Sequence, residues 1–298
     1  MTRRSARHPV SLILWALVLG AVACPRPAEA DFRHQRMGAR PKALGSAYVS
    51  LAEDANAAYW NPAGLVRADR VSLMATRAWL YGVEDISNDY LAMTFPRFKG
   101  VSLGASWVRL GIDDLYSEDT INLAAAVPVP LLEGLSFGAA GKLFLLDAPG
   151  YEQYNDPNYL GGDHGYSFDL GFLYDSGGAW SVGGVVYNVL SPELQLISTT
   201  SDPDPVFTEW ALGGSYLFRD TLLITADLRD REGEWNNVMV HGGAEIWFYD
   251  TLVLRTGLDE GMVTLGAGLQ DDHWQTDFTL ETDNKLGNVY MLSFTLRK

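Results

Sequence analysis

The sequence predicts an all-β fold: a fourteen-stranded antiparallel transmembrane β-barrel, preceded by a small N-terminal helical segment. Three observations carry this. Residue type alternates with period two in short segments from Val71 to the C-terminus, as in a strand with one face in lipid and the other in water. The segments run to about 9–13 residues, the length a tilted strand needs to cross the hydrocarbon layer. Short and long connections alternate between them, as they do where tight turns lie on one side of a membrane and loops on the other.

The chain opens with Arg3, Arg4 and Arg7 before an apolar run from Leu12 to Ala23, which is short for a spanning helix. Ala28-Glu29-Ala30 supplies the small-x-small pattern of a cleavage site, so residues 1–30 read as a secretory signal and Asp31 as the mature start. A competing site is Cys24, a lipidation point if the signal ends there, although Ala21 replaces the usual large aliphatic residue. Cleavage after Ala30 removes the one cysteine, and with it disulfide, thiol and cysteine-metal chemistry. Losing four arginines and one glutamate also takes the formal charge from -15 to -18, which opposes a nucleic-acid partner.

Residues 31–70 are rich in alanine and other small residues and lack the alternation, so they form a separate plug-like segment ahead of the barrel at 71–298. Ala43 to Leu51 is expected as a short helix that small residues allow close to a wall, with Asp54 capping the turn Ala55 to Trp60. Asn61-Pro62-Ala63-Gly64 then turns the chain into the first strand.

Strands are expected near 71–83, 89–98, 101–112, 120–129, 134–147, 165–175, 180–191, 208–218, 221–230, 236–248, 251–259, 262–271, 273–283 and 288–297. In the sixth, Tyr166, Phe168, Leu170, Phe172 and Tyr174 share the lipid face, against Ser167, Asp169 and Gly171. The last sets Tyr290, Leu292, Phe294 and Leu296 against Ser293, Thr295 and Arg297. Pro96 and Pro128 fall near strand ends, where a missing amide is tolerated, and Arg77 sits on the apolar face of the first strand. The tight turns at 175–179, 219–220, 249–250 and 271–272 place both barrel termini in the periplasm of a bacterial outer membrane, with outer-membrane lipid against the wall. Tyr174, Trp180, Tyr216, Phe218, Trp247 to Tyr249 and Trp274 cluster beside these turns as an interfacial girdle.

The stretch Ala43-Leu-Gly-Ser-Ala-Tyr-Val-Ser-Leu-Ala-Glu-Asp-Ala-Asn-Ala-Ala-Tyr-Trp-Asn-Pro-Ala-Gly-Leu65 resembles the N-terminal hatch of the FadL-like outer-membrane barrels, in particular their PorV/PorQ branch. The resemblance rests on Gly45, Tyr48, Asp54, Tyr59, Trp60, Asn61, Pro62, Ala63 and Gly64. It implies a fourteen-stranded barrel whose lumen the hatch blocks. From the transporter branch it implies passage of a hydrophobic small molecule toward an opening in the wall, and from the PorV branch an accessory or shuttle role with type IX secretion proteins. Two departures stand out: the 268 residues after Ala30 are few for a transporter of this group, and the chain ends on Leu-Arg-Lys298 where barrels commonly end on an aromatic.

Lys142, Asp169, Asp227, Arg229, His241, Glu245, Arg255, Asp277 and Glu281 face inward on this register. Mixed charges of this kind make a solvated or ion-paired lumen, and no serine lies in a nucleophile-elbow pattern, so the reading is non-enzymatic with no cofactor. The spacing of His34, His164, His241 and His273 suits no metal; Asp156, Asp163, Asp202 and Asp204 in long loops read first as solvated turns and second as a calcium rim. Phe144, Leu146 and Leu173 with Tyr48, Tyr59 and Trp60 either line an apolar ligand pocket or seat the plug.

Overall fold

A computed structural model describes residues 35–83, 85–112, 114–198, 203–230, 238–283 and 286–298. The expected signal 1–30 with Cys24, and also His34 and Asp202, lie outside the described residues. Inside the barrel are α1 (Ala39–Ala43), α2 (Ala57–Trp60) and a 3-10 turn (Pro62–Arg67). The wall begins with β1 (Ser72–Leu80), β2 (Ile86–Phe98), β3 (Val101–Ile112), β4 (Tyr116–Pro128) and β5 (Leu135–Asp147). It continues with β6 (Asp163–Asp175) and β7 (Trp180–Tyr187); the two-residue pair β8 (Glu193–Leu194) and β9 (Asp204–Pro205) stands apart from it. β10 (Glu209–Phe218), β11 (Leu222–Asp230), β12 (Val238–Phe248), β13 (Leu252–Asp259), β14 (Met262–Gln270), β15 (Trp274–Thr282) and β16 (Val289–Arg297) complete it. All fourteen wall strands pair antiparallel, and β1 pairs β16 to close the barrel without an edge.

The alternation sorts the two faces as the pleat requires. On β13, Leu252, Leu254 and Leu258 are exposed outside while Val253, Arg255 and Asp259 are buried inside. Two of the largest boundary differences have local causes. β4 starts four residues earlier than expected, at Tyr116, because Glu118 and Asp119 are partnered: Glu118 accepts from Tyr116 Oη at 2.5 Å and Asp119 from Trp107 Nε1 at 2.7 Å. β7 stops at Tyr187 because Asn188 is left-handed at φ 52° and turns the chain into the barrel mouth. The β6–β7 ladder therefore spans only Leu170–Asp175 against Ser181–Val186, and beyond it the Ser167 and Asp169 side chains hold Leu190 and Asn188 instead.

Three expectations fail locally. No helix spans 43–51: Gly45 and Ser46 both take φ 64°, which ends α1 at once. Asp54 does not cap α2; its Oδ1 accepts from Asn56 N at 2.9 Å, one residue short of the helix. Trp247 leaves the girdle and points inward, donating to Glu245 Oε1 at 3.0 Å, since it shares the parity of Glu245. By contrast Trp180, Tyr216, Phe218, Phe248 and Trp274 face outward beside the short turns.

The main apolar core lies in the lumen. Met37, Leu44, Tyr48, Tyr59, Trp60 and Leu65 of the N-terminal segment pack on Met74, Tyr90, Val108, Leu223 and Met291 of the wall. Side-chain-free wall positions let the backbone come close: a Cβ at Gly138 would meet Pro62 and Ala63, and one at Gly243 would meet Leu44.

Candidate functional site

The candidate site is the contact between the N-terminal segment and the inner wall. The segment approaches the β12–β16 side with three cations. Arg40 forks onto Glu245, Nε to Oε2 at 3.1 Å and Nη2 to Oε1 at 3.2 Å, and also reaches Glu53 at 2.9 Å. Lys42 Nζ lies 2.8 Å from Asp259 and 2.5 Å from Glu281. Arg36 pairs with Asp259 at 2.5 Å and with Glu260. Behind them Arg255 joins Glu245 to Asp277, both at 2.6 Å, so the wall carboxylates are partnered even where water is excluded.

Asp259 is the hub of this side. It is fully buried and also accepts from Ser46 Oγ at 2.6 Å, with His241 Nδ1 3.0 Å away. His241, Asp259 and Glu260 come close enough together to hold a metal ion, but the guanidinium of Arg36 and the ammonium of Lys42 already stand on those carboxylates. The chemistry is that of an ionic clasp.

The wall also captures the segment's backbone groups, from β14 and β15 on the same side and from β7 and β11 beyond it. Asp227 Oδ2 accepts from Tyr48 N at 2.7 Å and Val49 N at 3.0 Å. Thr225, Thr264 and Thr279 donate to the carbonyls of Ala47, Ala43 and Ala39, and Ser181 to that of Ser50. Asn61 is the clip in the middle: Nδ2 donates to Val49 O at 2.9 Å and Phe172 O at 3.0 Å, while Oδ1 accepts from Ala63 N at 3.1 Å. Pro62 occupies the first position of the 3-10 turn, where its missing amide costs nothing. Gly64 passes so close to Ala52 that a side chain there would strike its carbonyl.

The aromatics form a cationic stack. Trp60 donates to Met37 O at 2.8 Å and lies edge-on to Tyr48 and Tyr59, with centroids 5.9 and 6.2 Å away. The Arg229 guanidinium sits 5.4 Å from the Trp60 ring and 5.3 Å from that of Tyr187. Lys142 lies over Tyr187 at 5.3 Å and pairs with Asp169 at 2.9 Å. All nine inward residues of the sequence reading are thus buried in the lumen. Those on β12, β13 and β15 join the clasp; Asp227 holds the segment's backbone; Lys142, Asp169 and Arg229 form the stack above it.

Burial and charge act together on the segment's own groups. Burial alone would lower the Lys42 pKa, but Asp259 and Glu281 outweigh it and the group ends above the usual lysine value. Arg40 is likewise raised by Glu245 against its desolvation. Burial pushes the Tyr48 and Tyr59 phenols up.

The expected apolar pocket is divided. Tyr48, Tyr59 and Trp60 belong to the plug core, whereas Phe144 and Leu146 pack with Leu194 and Val206 of the loop folded into the mouth. Asp156 accepts from Tyr151 and Asn158, and Asp163 from His164 and Gln195, so both brace loops. A cavity of about 700 Å3 opens at the short-turn end, lined by Arg40, Glu53, Asp54, Trp247, Gln275 and Arg297 among others. Sequence reasoning set Asp259 opposite the apolar face of its strand without counting it among the site residues, and gave Arg36, Arg40 and Lys42 no role. The signal was available as three cations within seven residues, preceding strands whose inward positions are acidic.

Solved structures share this architecture. The chain is similar to the CymD monoaromatic hydrocarbon channel, with a TM-score of 0.59 and 15% identity over 88% of this chain and 97% of that one. It is similar to a deletion mutant of the TodX monoaromatic hydrocarbon channel, at 0.59 and 12% over 89% and 98%. A Pseudomonas aeruginosa FadL homologue follows at 0.57 and 14% over 90% and 99%. At these identities the likeness is one of fold. No protein-family model matches the sequence, and no curated protein matches it.

Proposed function

We propose that this chain is a non-enzymatic outer-membrane channel that passes small hydrophobic molecules inward and is closed at rest by its N-terminal segment. The observation that carries the reading is a complete fourteen-stranded barrel whose lumen is filled by an ion-paired N-terminal segment, in the fold of known hydrocarbon channels. Passage requires that segment to yield or the solute to leave through the wall. The short ladder between β6 and β7 is the seam where fewest backbone bonds oppose a lateral exit. The role in protein secretion implied by the PorV/PorQ resemblance gains no support from the fold or the comparisons.

The test is uptake by intact bacteria that express the chain, because their outer leaflet, unlike a plain liposome, resists hydrocarbons. Labelled toluene and oleate are expected to enter several-fold faster than in cells with an empty vector. Equal uptake of both, with the barrel present and folded in the outer membrane, would refute the reading.

A further inference from the structure

Over β1 to β4 the outer wall departs from its apolar rule in one row. Arg77, Asp89, Arg109 and Asp119 lie on β1, β2, β3 and β4, each the direct ladder partner of the next, and all on the outward face. At the same register level the row is flanked by the lipid-facing Leu292 of β16 and Leu145 of β5. Arg77 lies 3.3 Å from Asp89, while Arg109 is 3.9 Å from Asp119, whose Oδ1 is already held by the Trp107 indole. The two arginine side chains stay 51% and 48% exposed. Toward the loop end from the row, β1 presents the exposed Trp79. Over β2 to β4 the wall is hollow instead: Ser87, Gly111 and Ser117 line a notch of about 290 Å3 with Arg109, bounded by Asp114, Leu115 and Pro149.

The signs run plus, minus, plus, minus around the wall. Two copies inserted the same way through a membrane pair isologously about a two-fold axis along the membrane normal. An axis between β2 and β3 sets β2 against the second copy's β3, and β1 against its β4. Asp89 then faces the second copy's Arg109, and Arg109 its Asp89, close to the axis; because the strands tilt, the flanking Arg77 and Asp119 lie at different depths.

We infer that this face is the interface of a homodimer, with the Asp89–Arg109 pair at its centre. The inference depends on the wall facing lipid, not on what the lumen carries. An anionic lipid headgroup fits the row less well, since it would meet as many carboxylates as guanidiniums, whereas the alternating order complements itself. Pairing also removes four charges per copy from a surface otherwise given to hydrocarbon.

The test is disulfide capture in intact membranes. Leu91→Cys, next below Asp89 on β2, is expected to oxidise mainly to a dimer. Val240→Cys, on β12 across the barrel, should give no more than the unsubstituted chain, whose single cysteine is Cys24. In the Leu91→Cys background, Arg109→Asp or Asp89→Arg should lower the dimer yield by about tenfold, and the double reversal should restore it. Heat-shifted gel mobility reports folding of every variant. If the reversal variants do not fold, the comparison of Leu91→Cys with Val240→Cys decides. No dimer from Leu91→Cys, or equal yields from the two positions, would overturn the inference.

Discussion

At the scale of single residues, the seal is concentrated in Asp259 and Asn61. Asp259→Asn leaves Arg36 with Glu260 alone and Lys42 with Glu281 alone, so the loss stays below the about 3–5 kcal/mol of a buried charge left without any partner. The expected outcome is a barrel that still folds but leaks, seen as frequent openings in planar bilayers where the native chain stays closed. Asn61→Ala removes the clip to Val49 O and Phe172 O together with the bond to Ala63 N, a smaller loss of about 1–3 kcal/mol. Its openings should be rarer than those of Asp259→Asn; the reverse order would mean that the clip, not the ionic clasp, holds the segment. Parity in the sequence reveals which residues face inward, because a one-residue slip would expose every one of them to lipid. It is silent on partners: Arg255, Asp277 and Glu281 are all recognisable as lumen residues, but the pairing of Arg255 with Asp277 and of the segment's Lys42 with Glu281 is not.

At the scale of elements, strands were far easier to read than the segment they enclose. A strand's pattern is imposed by two solvents and recurs fourteen times, whereas α1 has five residues and its end is set by two left-handed positions at Gly45 and Ser46. An alanine-rich run has helix propensity, but here the wall overrides it by taking the carbonyls of Ala39, Ala43 and Ala47. This element should respond to alkali. Lys42 has a raised pKa, so its contribution is complete below the ordinary value of 10.5 and is lost as pH climbs through the raised one. The buried Tyr48 and Tyr59 phenols hold their protons more tightly than in a free chain, so they too withdraw stability as pH rises above about 10. Conductance should therefore stay low through neutral pH and rise reversibly above about pH 10; a seal unchanged to pH 12 would show that these groups do not hold it. The wall's share can be probed on β5. Gly138→Val drives a side chain into Pro62, whereas Gly141→Val points to open space, so only the former should open the channel.

At the scale of the whole molecule, the wall closes on itself through β1 and β16, which leads us to expect that barrel and plug are separable. That closure follows from backbone groups that hydrocarbon cannot satisfy, which is why the fold class could be read from periodicity alone. The plug follows from charge, which periodicity does not reveal. Deleting residues 31–66 should accordingly leave a folded, conducting barrel, and the charge left behind sets its selectivity. Asp169, Asp227, Glu245, Asp259, Asp277 and Glu281 line the inner wall beside Lys142, Arg229 and Arg255, and the deletion removes Arg36, Arg40 and Lys42 from among them. The emptied lumen is therefore acidic, and field focusing between low-dielectric walls concentrates cations in it. Under a potassium chloride gradient the reversal potential of the deletion variant should lie on the cation side. Adding Asp259→Asn, Asp277→Asn and Glu281→Gln to the same variant should move it toward zero. A folded variant that conducts nothing would mean that wall side chains close the lumen unaided, and an anion-selective one would mean that the clasp's carboxylates do not line the path.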